Sequence, residues 1–125
     1  MNGTKAVLWA FVAAFILKLF VFDFMIAQGH SMEPAIQNGN VLVINRLRYG
    51  LRLPLQQRYL IRWAMPKSGE IVVFYTPSGE LAVKRCFELT NGGFIARGDN
   101  ELASYDSRSY GAVSFNNIIG KVLGY

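Results

Sequence analysis

The chain is short of the residues on which many hydrolases and secreted scaffolds are built. One cysteine, Cys86, excludes an intrachain disulfide. In a strand-like apolar run that thiol fits a small buried hydrophobe better than a nucleophile, because no histidine is within evident reach. There is also a single histidine, His30, and it adjoins Ser31 in sequence. Neighbouring side chains on an extended backbone point to opposite faces, which places His30 badly as a base for that serine. Proline is sparse, with four residues, and no repeat or low-complexity tract occurs. Acidic residues are missing altogether between Pro34 and Gly69, and no segment after residue 30 keeps a sustained helical period. At 125 residues the chain has room for one small domain and a short appendage, not for a second domain.

What is present begins with a membrane-length apolar run. Residues Ala6 to Phe22 are apolar apart from Lys18, and Asp23 follows. This predicts a transmembrane helix over about residues 6–22, with the Lys18 stem reaching back to the interface. A cleavable signal peptide is the rival reading. The length of the run, and a cut that would fall beside Ser31, favour an uncleaved anchor. Charge does not decide topology: Lys5 favours a cytoplasmic N-terminus and the later arginines a cytoplasmic domain, but those lie beyond the window that weighs most. From Asp23 to Ser31 the chain reaches at most about 27 Å, so a site at Ser31 must lie close to the bilayer.

The acid-free stretch carries Arg46, Arg48, Arg52, Arg58, Arg62 and Lys67, interleaved with Tyr49, Leu51, Leu53, Leu55, Tyr59, Leu60, Ile61 and Trp63. Three readings stand for it: contact with lipid headgroups, a solvated loop with a few core anchors, or nucleic-acid binding, the last least in keeping with an adjacent anchor. Strands are expected at 41–44, 70–75, 81–89, 94–97 and 118–123, with a hairpin turn at Thr90-Asn91-Gly92-Gly93. A turn or two of helix is expected within Gln56 to Met65. The fold class is mostly β: a small sheet or barrel-like catalytic domain, residues 26–125, behind an anchor of residues 1–25.

A serine hydroxyl is a weak nucleophile until a base takes its proton. Without a usable histidine, the candidate base is Lys84, set in the apolar segment Leu81-Ala82-Val83-Lys84-Arg85. A lysine in apolar surroundings can be neutral near pH 7. Ser31 and Lys84 together indicate a serine/lysine hydrolase at a membrane surface.

The ordered motifs make the reading sharper. The apolar run leads into Gly29-His30-Ser31-Met32-Glu33-Pro34. Then follow Gly69-Glu70-Ile71-Val72-Val73-Phe74, Val83-Lys84-Arg85, Gly98-Asp99-Asn100 and Ser104-Tyr105-Asp106-Ser107-Arg108. Each is weak alone, but in this order behind an anchor they resemble the bacterial type I signal peptidases over essentially the whole chain. The resemblance implies Ser31 as nucleophile, Lys84 as general base and Ser104 as the hydroxyl that orients the lysine amine. It implies an oxyanion held by the Ser31 backbone N–H. Gly29 stands where some members carry a serine whose hydroxyl gives a second donor; glycine has no such hydroxyl, which leaves a backbone N–H for that part. Asp99, Asp106 and Arg108 match structural charged residues. A catalytic acid or a metal ligand is the alternative for the two aspartates, and two carboxylates in a glycine-bearing loop do not suffice for a metal site.

The resemblance also implies a substrate bound as an added strand, with small residues one and three positions before the cut. The matching positions are Ala27, Gln28, Gly29, Met32, Ile36, Ala82 and Val83. For Met32 and Ile36 ordinary core packing is the competing explanation. No cofactor or metal is implied. The partners would be exported preproteins and membrane lipid, not nucleic acid, and the catalytic domain of a single-pass plasma-membrane protein would face the extracytoplasmic side. Two alternatives keep the fold: a processing peptidase for a narrow substrate set, and an inactive membrane-anchored binding module. Only Arg85 to Arg97 separate the lysine strand from Gly98-Asp99-Asn100, where some members carry a large insertion; the chain would be near a minimal catalytic core.

Overall fold

The computed structural model describes residues 2–52 and 59–125. Helix α1 (Gly3–Phe20) is capped by Asn2, whose side chain accepts from the Lys5 N–H. It is followed without a linker by β1 (Phe22–Ile26), then by β2 (Val41–Asn45), the short pair β3 (Gly50–Leu51) and β4 (Ile61–Arg62), and β5 (Ile71–Tyr75). After these come β6 (Leu81–Thr90), β7 (Gly93–Arg97), the one-turn helix α2 (Ser107–Tyr110), β8 (Val113–Ser114) and β9 (Ile118–Gly124). Seven strands form one antiparallel sheet in the order β1-β2-β9-β5-β6-β7-β8, and β3 pairs with β4 apart from it. The protein is mostly β, and the large sheet curls into a half-barrel.

Strand β5 lies in the middle, and alternation along it divides the core in two. Val72 and Phe74 enter one cluster with Tyr49, Cys86, Phe94, Val113 and Ile118. Ile71 and Val73 enter the other with Met32, Ile36, Leu42, Ile44 and Val122. Both faces of β5 are therefore covered, which explains its uninterrupted apolar sequence. Phe74 meets Phe94 edge to face at 5.3 Å, a favoured arrangement for two ring quadrupoles. Met32 and Ile36 belong to this core, so their packing role is real. Cys86 is a free, fully buried thiol whose pKa burial pushes up to about 11.

Two expectations need correction. The apolar run does not stay helical to residue 22: the helix ends at Phe20, and Phe22 is already paired with Asn45 in β1. Pairing with β2 overrides helical continuation for the β-favouring series Phe22-Asp23-Phe24-Met25-Ile26, and Asp23 is joined to Arg46 at 3.7 Å. At about 1.5 Å per residue α1 spans roughly 27 Å, and among the described residues no helix is long and apolar enough to cross a membrane. The helix expected within Gln56 to Met65 falls partly outside the described residues, and Ile61 and Arg62 form strand β4 instead.

The basic-aromatic stretch is in good part a core anchor. Tyr49 is buried and its hydroxyl donates to Glu70 Oε1 at 3.0 Å. Arg52 is buried too and donates to the Ile118 carbonyl at 3.0 Å, which the Tyr59 hydroxyl reaches at 2.7 Å. These residues stitch the segment to β9. Leu60, Ile61 and Trp63 remain exposed; Leu53, Leu55 and Arg58 lie outside the described residues.

Candidate active site

Ser31 lies in the turn between β1 and β2. Gly29 permits the turn with φ +89°, a left-handed conformation that costs a side chain dearly. The Met32 carbonyl accepts from the Ile36 N–H at 2.9 Å, and both side chains are sunk in the core beneath. From the far side the Gly98-Asp99-Asn100 loop clamps the serine. The Asn100 N–H donates to the Ser31 carbonyl at 2.8 Å, and its side-chain amide to the His30 carbonyl at 3.1 Å. The backbone of Ser31 is thus held by packing below and hydrogen bonds above.

Lys84 stands opposite Val72 on β6 and is buried, 7 % exposed. Its Nζ donates to Ser31 Oγ at 2.8 Å, across 53 positions of sequence. Burial lowers the pKa of this amine, the nearby Asp106 carboxylate pulls the other way, and Arg108 lowers it further. His30, in contrast, turns outward and pairs with Glu33. The residue next to the serine in sequence is thus not its partner in space.

Asp106 is the hub behind the pair. Fully buried, its carboxylate accepts from Ser104 Oγ at 2.7 Å, the Gly98 N–H at 2.9 Å, Arg108 Nε at 3.0 Å and Arg108 Nη2 at 2.7 Å. It also caps α2 through the Arg108 N–H. Burial raises its pKa, but these donors outweigh burial and hold it well below the ordinary carboxylate range. The Ser104 hydroxyl is therefore turned to Asp106, and among the described residues it makes no hydrogen bond to Lys84. Asp99 forms a two-pronged pair with Arg85, 2.8 Å from Nε and 2.7 Å from Nη2, which fixes the loop carrying Asn100 to β6.

A groove of about 510 Å³ opens beside the pair. All seven positions expected around a substrate pocket line it: Ala27, Gln28, Gly29, Met32, Ile36, Ala82 and Val83. Its two walls are strand edges. Among the described residues β1 ends the sheet with one edge unpaired, and β6 pairs with β7 only from Arg85 onward, leaving Leu81 to Lys84 open on that side. An extended peptide laid between them would find unused N–H and C=O groups on both sides. The Gly29 N–H is not among them, because it donates to Asn38 Oδ1 at 2.9 Å. No such bond occupies the Ser31 N–H among the described residues.

Three residues with a part in this geometry went unassigned in the sequence reading. Gly98 has no room for a side chain, Arg85 holds Asp99, and Asn100 grips Ser31. The Gly98-Asp99-Asn100 motif and the position of Arg85 beside Lys84 were the available signals. What the sequence could not supply was which partner each would find.

The site thus sets a serine hydroxyl against a buried lysine amine at the head of a groove. Residues 1–90 match the family of signal peptidases, peptidase S26. The chain belongs to that family, and with it to the serine endopeptidases that remove signal peptides. It is 28 % identical to signal peptidase I of Bacillus caldolyticus over 85 % of this chain and 80 % of that protein. To signal peptidase I of Haemophilus influenzae it is 32 % identical over 86 % of this chain but 30 % of the relative. For signal peptidase I of Buchnera aphidicola from Acyrthosiphon pisum the figures are 35 % identity, 54 % and 22 %. The chain thus spans most of one relative's length and under a third of the other two.

Proposed function

We propose that this chain removes signal peptides from exported preproteins with Ser31 as nucleophile and Lys84 as general base. The observation that carries the reading is the 2.8 Å contact between Lys84 Nζ and Ser31 Oγ, made by an amine whose burial favours its neutral form. Neutral Lys84 takes the hydroxyl proton as Ser31 Oγ bonds to the scissile carbonyl carbon. The resulting oxyanion faces the Ser31 N–H. The protonated lysine then gives its proton to the departing amine as the peptide bond breaks, leaving an acyl-enzyme. A water molecule, relieved of a proton by the same lysine, hydrolyses the ester and restores Ser31.

Ser104, Asp106 and Arg108 serve this chemistry as positioning residues. Asp106 gathers Ser104, Gly98 and Arg108 into one wall, and its charge tempers the shift that burial imposes on Lys84. The Asp99–Arg85 pair holds the loop that grips Ser31. Small or flexible side chains at Ala27, Gly29, Met32 and Ala82 suit methyl-sized residues one and three positions before the cut.

The membrane setting belongs to the same proposal. Helix α1 is apolar on every side, with Leu8, Trp9, Phe11 and Phe15 all exposed; such a helix needs an apolar medium. It falls about 3 Å short of a 30 Å hydrocarbon core, a mismatch that local thinning and a snorkelling Lys18 can meet. Phe22, Phe24 and Ile26 extend the apolar surface along one face of β1, with Val41 beside Ile26. The anchor would occupy the plasma membrane and the groove would lie at its extracytoplasmic face. The test is direct: purified full-length protein in detergent should cut a synthetic preprotein after its Ala-x-Ala sequence. Failure to cut any of several such preproteins overturns the proposal.

A further inference from the structure

Seven acidic positions other than Glu80 lie away from the groove or are engaged; Glu80 lines the groove itself. Six of the eight acids lie against a basic side chain, and among the described residues only Glu80 and Glu88 do not. Glu88 sits at the far end of β6, opposite Ile95. Glu80 is also held firmly by its backbone. The Thr76 N–H donates to the Glu80 carbonyl at 2.7 Å, and the Glu80 N–H to Thr76 Oγ1 at 3.1 Å, so the β5–β6 ladder runs one step past Leu81. The result is a fixed backbone carrying an uncommitted carboxylate at one end of the groove.

The position of that end gives it meaning. Glu80 is four residues from Lys84, about 13 Å along an extended strand. Ala82 and Lys84 share a face of β6, and Glu80, paired with Thr76 one step before the strand, continues that alternation. On the opposite wall, the matching end is lined by Met25 and Ile26, two residues of the strand that follows α1 directly. A signal peptide's membrane-embedded segment precedes its cleavage site, so the acyl side of a bound substrate runs from Lys84 toward this end. Residues one, three and five positions before the cut then share a face, and the fifth arrives at Glu80.

We propose that Glu80 is a specificity-determining residue whose carboxylate favours a cationic side chain five positions before the scissile bond. This rests on the signal peptidase reading above. It adds a charge preference at a point where that reading assigns none.

The test uses full-length protein in detergent and three synthetic preproteins that differ only at that fifth position, carrying Lys, Ser or Glu. Within each enzyme the ratio of kcat/KM for the Lys and Glu substrates is measured. For the unaltered protein the ratio should be about five in favour of Lys, the size expected of an exposed charge pair, and should shrink as salt is raised. Glu80→Gln should bring it close to one, and Glu80→Lys should invert it. A purely structural role for Glu80 would slow all three substrates together and leave the ratio unmoved. A ratio near one in the unaltered protein, or one that survives Glu80→Lys, overturns the inference while leaving the peptidase reading intact. Failure to cut the Ser substrate as well defeats both.

Discussion

Gly98 and Ser104 stand so close that no side chain fits between them: a Cβ on Gly98 would lie 2.2 Å from Ser104 Oγ and 2.6 Å from the Ser31 carbonyl oxygen. The loop bearing the clamp on Ser31 and the loop bearing Ser104 meet at this one position. Gly98→Ala must therefore displace one of them. We expect stability to fall by about 1–3 kcal/mol through overpacking and kcat to fall on the order of 100-fold through misplacement of Ser31. Thermal denaturation and cleavage assays on the same preparation measure both. An unchanged kcat would show that the close approach does not govern the site.

The buried amine makes a pH prediction. Catalysis needs neutral Lys84, so kcat/KM should rise with pH along a limb whose midpoint lies below the value of about 10.4 for a free lysine. The direction follows from burial, which favours the uncharged form. A limb centred at the free-lysine value would contradict it.

The same shift has a consequence for stability. The folded pKa lies below the unfolded one, so burial is a cost wherever both states are protonated; that cost fades as pH rises from the folded value to the unfolded one and is gone above it. Lys84→Met, which keeps the stem and removes the charge, should raise Tm at pH 7 by a few degrees, corresponding to about 1 kcal/mol. The gain should be smaller at pH 10. The variant should be inactive, separating what favours the fold from what favours the reaction.

Asp106 works in the opposite sense. Its folded pKa is held below the unfolded value, so its contribution is present above the ordinary carboxylate range near 3.9 and is lost as pH falls toward the folded value. Asp106→Asn should cost about 3 kcal/mol at neutral pH, because Arg108, Ser104 and the Gly98 N–H lose the charge of a fully buried acceptor. It should also flatten the acid-side decline in stability between about pH 5 and 2. Urea midpoints across that range provide the measurement.

His30 tests the choice of base. Its ring is committed to Glu33 and faces solvent, so His30→Gln should lower kcat/KM by no more than about threefold, far less than the 100-fold or more of a lost general base. A larger loss would hand the base to histidine.

The limits of the sequence as a guide follow from the kind of signal each element carries. Val41 to Ile44, Ile71 to Tyr75 and the hairpin at Asn91-Gly92 were legible because apolar runs bounded by turn residues declare themselves locally. β1 was hidden, since Phe22 to Ile26 continue the apolar character of α1 and only pairing with β2 makes them a strand. The positions of Ser31 and Lys84 could be named from motif and chemistry. The bond of Ser104 to Asp106 rather than to Lys84 could not, because several donors compete for one buried carboxylate and the outcome is set in three dimensions. The arginines of the 46–63 stretch likewise read as a surface until Arg52 is seen bonded to β9.

Cleavage of an Ala-x-Ala preprotein by the Lys84→Ala protein, measured beside the unaltered enzyme in the same detergent, tests the central claim most directly. With no amine at Ser31 Oγ the rate should drop by about a thousandfold or more while the protein still folds. Cleavage at the unaltered rate would contradict it.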